Sequence, residues 1–201
     1  MSRIRANTIT NKAATGAPTF SNGAVVTGVC TATSFVGSGA SLTGISAGIT
    51  MADQWNITTD NNKTNGQVID SNWERSDYFF AQIGSGMSES SGIFTFPSTG
   101  IWRVEAVFAF YAATSTDGNM YGYIQSTQNN SSYIDQVELH MFAAANDHGS
   151  DISGYFIFDV TDTSTHKVRF TQKNFSNAND MSYGNTDRNM TYFTFTRLGD
   201  T

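Results

Sequence analysis

The sequence predicts an all-β protein, and three observations carry that expectation. Aromatic residues make up 13% of the chain while charged residues make up only 14%, against about 25% charged in ordinary soluble domains. Neutral Asn, Ser, Thr and Gly replace the missing charge, and two prolines with eighteen glycines favour strands joined by tight turns over helices. From residue 92 onward, apolar side chains recur at every second position in one segment after another, the period of a half-buried strand. About eight such strands at this spacing indicate a sandwich, jelly roll or barrel.

Residues 1–21, MSRIRANTITNKAATGAPTFS, hold too few large side chains for a core and read as an extended arm. An arm of this kind orders by adding its backbone and its few apolar residues to another surface. Residues 22–50 space Val25, Val29, Phe35, Leu42 and Ile45 among small residues, which fits a short β shaft or a linker. One copy cannot bury such sparse apolar groups, whereas three copies wound about an axis place them inward, so the chain is expected to be a homotrimer. Charge and aromatic content both change near Thr50, which puts the head domain at residues 51–201.

Within the head, Asn61 to Gly66 is a turn signal followed by a strand over 67–70, and Trp73 to Ser76 reads as an irregular loop or short edge. GIFTFPSTGIWRVEAVFAFY, residues 92–111, is a hairpin whose second strand puts Trp102, Val104, Ala106, Phe108 and Phe110 on one face. Strands follow at 119–125, at 133–141 and at 153–160, where Phe156, Phe158 and Val160 share a side. A polar turn at 128–132 and a loop at 143–150 separate them. Residues 166–171 return with Val168 and Phe170 inward against Lys167 and Arg169 outward, then 174–189 forms a long polar loop, and 191–198 closes the domain with Phe193 and Phe195.

Charge excludes some functions. The formal net charge is −6, yet residues 1–50 carry Arg3, Arg5 and Lys12 and no acid, leaving eight basic against seventeen acidic residues beyond them. An acidic body without a basic stripe is a poor nucleic-acid binder. The uncharged stretch 13–52 is too rich in Gly, Ser and Thr to insert in a membrane. Cys30 stands alone, so no intrachain disulfide forms, and it reads as a small structural thiol packed in a strand. The first residues lack the apolar run of a signal peptide, so the Asn-x-Ser/Thr sites are not read as glycosylation signals.

Chemistry-bearing constellations are sparse. His140, His148 and His166 have no ligand spacing, and neither Asp147 with Asp151, Asp159 with Asp162, nor Asn177, Asn179 and Asp180 matches a calcium loop. No cofactor, metal or catalytic residue is expected. Tyr121, Tyr123 and Tyr133 are candidate receptor contacts if they face solvent, because an exposed aromatic ring pairs with the apolar face of a sugar; the blander reading buries them in the core or between subunits.

SRIRANTITNKAATGAPTFSNG and TATSFVGSGASLTGI resemble the amino-terminal and shaft segments of appendage and tail-fibre proteins of tailed phages, especially those of marine cyanobacteria. FTFPSTGIWRVEAVF and the closing TYFTFTRL resemble the jelly roll shared by complement-type globular heads and the tumour necrosis factor family, which forms homotrimers at the end of a stalk. Together these resemblances imply a structural virion protein assembled in the bacterial host cytoplasm. Arg3, Ile4, Arg5, Ile9, Lys12 and Phe20 would dock the arm on another virion protein, and the head would bind a host-surface glycan or protein. A capsid-decorating or head-fibre protein is the nearest alternative, and a surface-glycan depolymerase the alternative of another class.

Overall fold

The computed structural model of the protein describes residues 9, 12–13, 15–16, 20, 22–33, 48–63, 66–114, 119–142 and 146–201. The chain divides into two compact units, Met1–Ile45 and Ser46–Thr201. In the first, the described residues 22–33 carry no strand, Val25 and Val29 are almost wholly exposed, and Cys30 is exposed. The expectation of a packed Cys30 is thereby corrected. Gly, Ala and Thr around it offer too little apolar area to offset the entropy of ordering a strand. Ile9, Lys12 and Phe20 are exposed as well. Arg3, Ile4, Arg5, Phe35, Leu42 and Ile45 lie outside the described residues.

The second unit is all-β among the described residues. Its strands are β1 (Ala52–Ile57), β2 (Gln67–Val68), β3 (Trp73–Glu74), β4 (Ser88–Ser90), β5 (Ile93–Thr95), β6 (Gly100–Ala112), β7 (Asn119–Thr127), β8 (Ile134–Phe142), β9 (His148–Val160), β10 (Lys167–Lys173), β11 (Met181–Ser182) and β12 (Tyr192–Gly199). They form two antiparallel sheets. In the first sheet β6 pairs along its whole length with β9 on one side, and with β12 and β11 on the other. β1 then joins β12, and β3 joins β1. The second sheet runs β4, β5, β10, β7, β8, with β2 beside β10.

Alternation along β6 decides which face is buried: Trp102, Val104, Ala106, Phe108 and Phe110 are all at most 1% exposed. Phe193 and Phe195 extend that face on β12, and Phe94, Ile124, Val168 and Phe170 meet it from the second sheet. Rings lock the two layers together: Phe170 lies 3.9 Å from Phe193 and Phe94 lies 5.1 Å from Phe195, centre to centre. Each buried ring stabilises the fold by about 1.5–3 kcal/mol. Gly122 lets β7 approach this core, since a Cβ there would stand 2.5 Å from the Phe108 ring.

The β4–β5 connection is Ser91-Gly92, with φ of 53° and 79° at its two residues. Two consecutive positive φ values are the type I′ hairpin geometry, which matches the twist of the flanking strands. Gly92 also has Ile69 O where a Cβ would stand, at 2.3 Å, so no other residue fits.

The fold departs from the sequence expectation in six places. Residues 92–111 are not a hairpin: β5 pairs with β4 and β10 in the second sheet while β6 belongs to the first, so the Pro97–Gly100 turn carries the chain from one sheet to the other. β1 and β4 were not anticipated, β11 lies inside the expected polar loop, and β9 begins at His148 within the expected 143–150 loop. The pairing of β7 with β8 shifts between Ile124 and Gln125, so Gln136 is an extra residue on β8. That bulge turns Val137, Leu139 and Met141 toward the core while Tyr133 and Asp135 face the other way, breaking the uniform alternation expected over 133–141.

Candidate functional site

Three surface regions of the head carry side chains suited to binding. The first is an open cleft of about 360 Å³ over the outward face of β1 and β12. Gln54 and Thr194, register partners, form its floor, Asn189 closes one end, and Tyr78, Phe79 and Phe80 rise from the loop that follows β3. Asn189 Nδ2 donates to Gln54 Oε1 at 2.7 Å, and Gln54 Nε2 donates to Thr194 Oγ1 at 3.2 Å.

A buried carboxylate braces the aromatic loop. Asp53, 4% exposed, points to the opposite side of β1 and accepts hydrogen bonds from Arg75 Nε and Nη2 at 2.9 and 2.8 Å. It also accepts from Trp55 Nε1 at 2.9 Å, Met87 N at 2.7 Å and its neighbour Gln54 N at 2.9 Å. Arg75 stacks over Trp55 at 4.2 Å. The far end of the loop is tied by reciprocal backbone bonds between Ala52 and Ile83, at 3.0 and 2.9 Å. Between these ties Phe79 is fully exposed, with φ at 57°. The Asp53 carboxylate, turned away from the cleft, is occupied by five donors, so it holds structure.

The second region holds the sequence-predicted tyrosines, and the fold brings all three to the outward face of the second sheet. Tyr121 and Tyr123 on β7 stack at 6.3 Å, and His140 of β8 meets Tyr121 edge-on at 4.5 Å. Tyr123 is only 5% exposed. Burial, and the Glu138 carboxylate opposite it on β8, push its phenol up to about 12. Arg169 covers the ring of Tyr133 at 3.9 Å, and burial raises the Tyr133 phenol while that guanidinium opposes the rise. The faces of these rings are thus largely taken by other side chains, which sequence alone does not reveal.

The third region is β9, which pairs with β6 on one side only among the described strands. Its outward side presents Tyr155 and Ile157, 55% and 50% exposed, with Arg103 of β6 stacked on Tyr155 at 4.3 Å. An unpaired edge carrying apolar groups is a natural place for another chain to add.

Several other polar residues serve local structure. Asp180 accepts from Ala113 N and Asn177 N at 3.0 and 2.8 Å, Asp162 accepts from Ser164 N and Oγ, and Asp147 accepts from the Tyr111 hydroxyl at 2.6 Å. That last bond raises the Tyr111 phenol. His166 is buried against Phe158, their rings 5.5 Å apart. Lys167 is buried with its ammonium donating to Thr95 Oγ1 and Thr163 O, and burial lowers its basicity. Among the described residues no three His, Cys, Asp or Glu side chains converge as a metal site would require.

This arrangement of two antiparallel sheets defines the head as a jelly roll of the tumour necrosis factor type. Solved structures with the same fold include Eiger TNF from S. frugiperda, at TM-score 0.56 and 10% identity over 76% of this chain and 95% of that one. Murine APRIL at pH 5.0 aligns at TM-score 0.55 and 11% identity, covering 74% of this chain and 98% of its own. At such identity the likeness concerns the fold. No protein-family model matches the sequence, and no curated protein matches it.

Proposed function

We infer that the protein is a non-enzymatic virion component: a homotrimeric, tail-fibre-like appendage attached through its arm and displaying the jelly-roll head to a host surface. The observation that carries this reading is the acid-free first quarter of the chain, with its resemblance to phage appendage segments, ahead of a tumour-necrosis-factor-like jelly roll. Arg3, Ile4, Arg5, Ile9, Lys12 and Phe20 attach the arm to an acidic virion protein through charge and a few apolar anchors. The exposure of Ile9, Lys12 and Phe20 supports that role, because the chain itself does not cover them.

Trimerisation is supported by the free edge of β9 with Tyr155 and Ile157, and by Val25 and Val29, which one chain leaves in solvent. A cyclic trimer uses a head-to-tail interface, so the edge of one protomer meets a different patch on the next. Three heads side by side turn weak surface contacts into strong attachment. The tyrosine face of the second sheet and the aromatic cleft of the first are the surfaces offered to a host glycan or protein.

Deleting residues 1–21 tests the reading. The truncated protein is expected to fold, keep its β-sheet circular dichroism and fail to join assembling virions. Normal incorporation would place attachment elsewhere.

A further inference from the structure

We propose that the cleft formed by Gln54, Tyr78, Phe79, Phe80, Asn189 and Thr194 binds a neutral sugar ring. The inference rests on the reading of the head as a surface-binding module and assigns that binding to a specific place. It starts from Phe79. A bulky side chain with φ at 57° sits in the left-handed region, which disfavours any residue with a Cβ, and aromatic residues gain no local hydrogen bond there to compensate. Conformations of this kind persist when the surrounding chain imposes them, and they concentrate where a group is being presented to a ligand. Here the imposing structure is on view: the Arg75–Asp53 pair at one end of the loop and the Ala52–Ile83 backbone pair at the other. The result is a ring, fully exposed, that contributes no burial to its own domain.

The polar half of the cleft specifies the ligand class. Gln54, Asn189 and Thr194 form a chain of neutral groups in which Asn189 donates, Gln54 accepts and donates, and Thr194 accepts. That leaves the carbonyl oxygen of Asn189 as an acceptor, and the second N–H of Asn189, the second N–H of Gln54 and the hydroxyl hydrogen of Thr194 as donors. Paired acceptors and donors without net charge suit hydroxyl groups, and the adjoining aromatic wall suits the C–H face of a pyranose ring. Among the described residues no lysine or arginine lines the cleft, and nearby Arg75 is committed to Asp53 and to Met87 O, so an anionic sugar is not favoured. The cleft is large enough for one or two rings, and lies near the β1 edge of its sheet, across from the β9 edge used for self-association. Asp53, the one acidic residue among the described residues lining the cleft, turns its saturated carboxylate to the far side of β1, so the ligand is held and not hydrolysed.

Saturation-transfer NMR on the full-length protein tests this, using glucose, galactose, mannose, rhamnose and N-acetylglucosamine as neutral probes and glucuronate as the anionic control. At least one neutral sugar is expected to show transfer. Phe79→Ala and Asn189→Ala should each weaken it by about tenfold, Gln128→Ala, an exposed position on the turn after β7, should leave it unchanged, and light scattering should give one mass for all variants. No transfer from any neutral probe, or transfer indifferent to both cleft variants, overturns the proposal. Dissociation of Phe79→Ala into smaller species overturns it too, by making Phe79 a subunit contact. If sugar binding tracks Phe79 in a protein that never joins virions, the appendage reading falls and the cleft stands.

Discussion

Removing the Asp53 carboxylate is the sharpest perturbation of the head's architecture. Asp53→Ala strips an acceptor from five donors at once, on β1, on the loop after β3 and on the segment entering β4. Breaking a buried ion pair from one side costs about 3–5 kcal/mol. The Arg75 side chain is 31% exposed and the Asp53 side chain 2%, so water recovers part of the arginine and the lower end of that range applies. The buried Met87 N–H loses its acceptor as well, which adds about 1–3 kcal/mol. The expected total is about 4 kcal/mol, a large share of the 5–15 kcal/mol that typically holds a domain together. In urea unfolding followed by tryptophan fluorescence at fixed protein concentration, a slope of about 2 kcal/mol per molar lowers the midpoint by about 2 M. Gly86→Ala approaches the same node independently, since its Cβ would stand 2.6 Å from both Arg75 Nη2 and Asp53 Oδ2. A loss below about 1 kcal/mol in Asp53→Ala would refute the assignment of the brace.

Three further outcomes are expected. Tyr123 has its phenol raised from 10 to about 12, so the folded state favours the protonated form, and its contribution is complete below pH 10 and lost as pH rises toward about 12. Tyr123→Phe should therefore show a shallower alkaline loss of stability than wild type across that window, and an identical profile would remove Tyr123 as a cause. Gly122→Ala places a methyl against the Phe108 ring, itself held by Phe110 at 5.2 Å and Phe193 at 5.4 Å; a loss of about 1–3 kcal/mol in unfolding free energy is expected, and a neutral result would mean that β7 can shift. Ile157→Lys puts a charge on the exposed flank of β9, and light scattering should move from about three times the 21.8 kDa chain mass to the mass of one chain. An unchanged mass would place the subunit contact elsewhere.

Much of the head was legible because a strand buried on one face announces itself every second residue. β6, β9, β10 and β12 carry Trp102 to Phe110, Phe156 to Val160, Val168 with Phe170, and Phe193 with Phe195 in that rhythm. β1 escaped because its alternation is broken by function: Asp53, a charged residue, points inward to serve the brace, and Asn56 is buried where a polar residue reads as exposed. β4 and β11 are too short, at three and two residues, to show any period. Gln136 was unreadable because a bulge is a property of pairing between two strands.

The cleft was half visible. Tyr78, Phe79 and Phe80 stand out as an aromatic run in a polar loop, but Gln54 and Asn189 lie 135 residues apart along the chain and meet through the pairing of β1 with β12. The tyrosine face shows the reverse limitation. Sequence placed Tyr121, Tyr123 and Tyr133 on strands or beside them, yet it could not show that His140, Glu138 and Arg169 would crowd their rings. Cys30 misled because strand-like neighbours say nothing about whether a partner surface is present.

Locating the protein on the particle tests the central claim most directly. Purified virions probed with antibody against the head and imaged by electron microscopy should carry label on projecting appendages, displaced outward from the particle body. Label confined to the capsid shell would favour a decorating protein, and absence of the chain from purified virions by mass spectrometry would contradict the account.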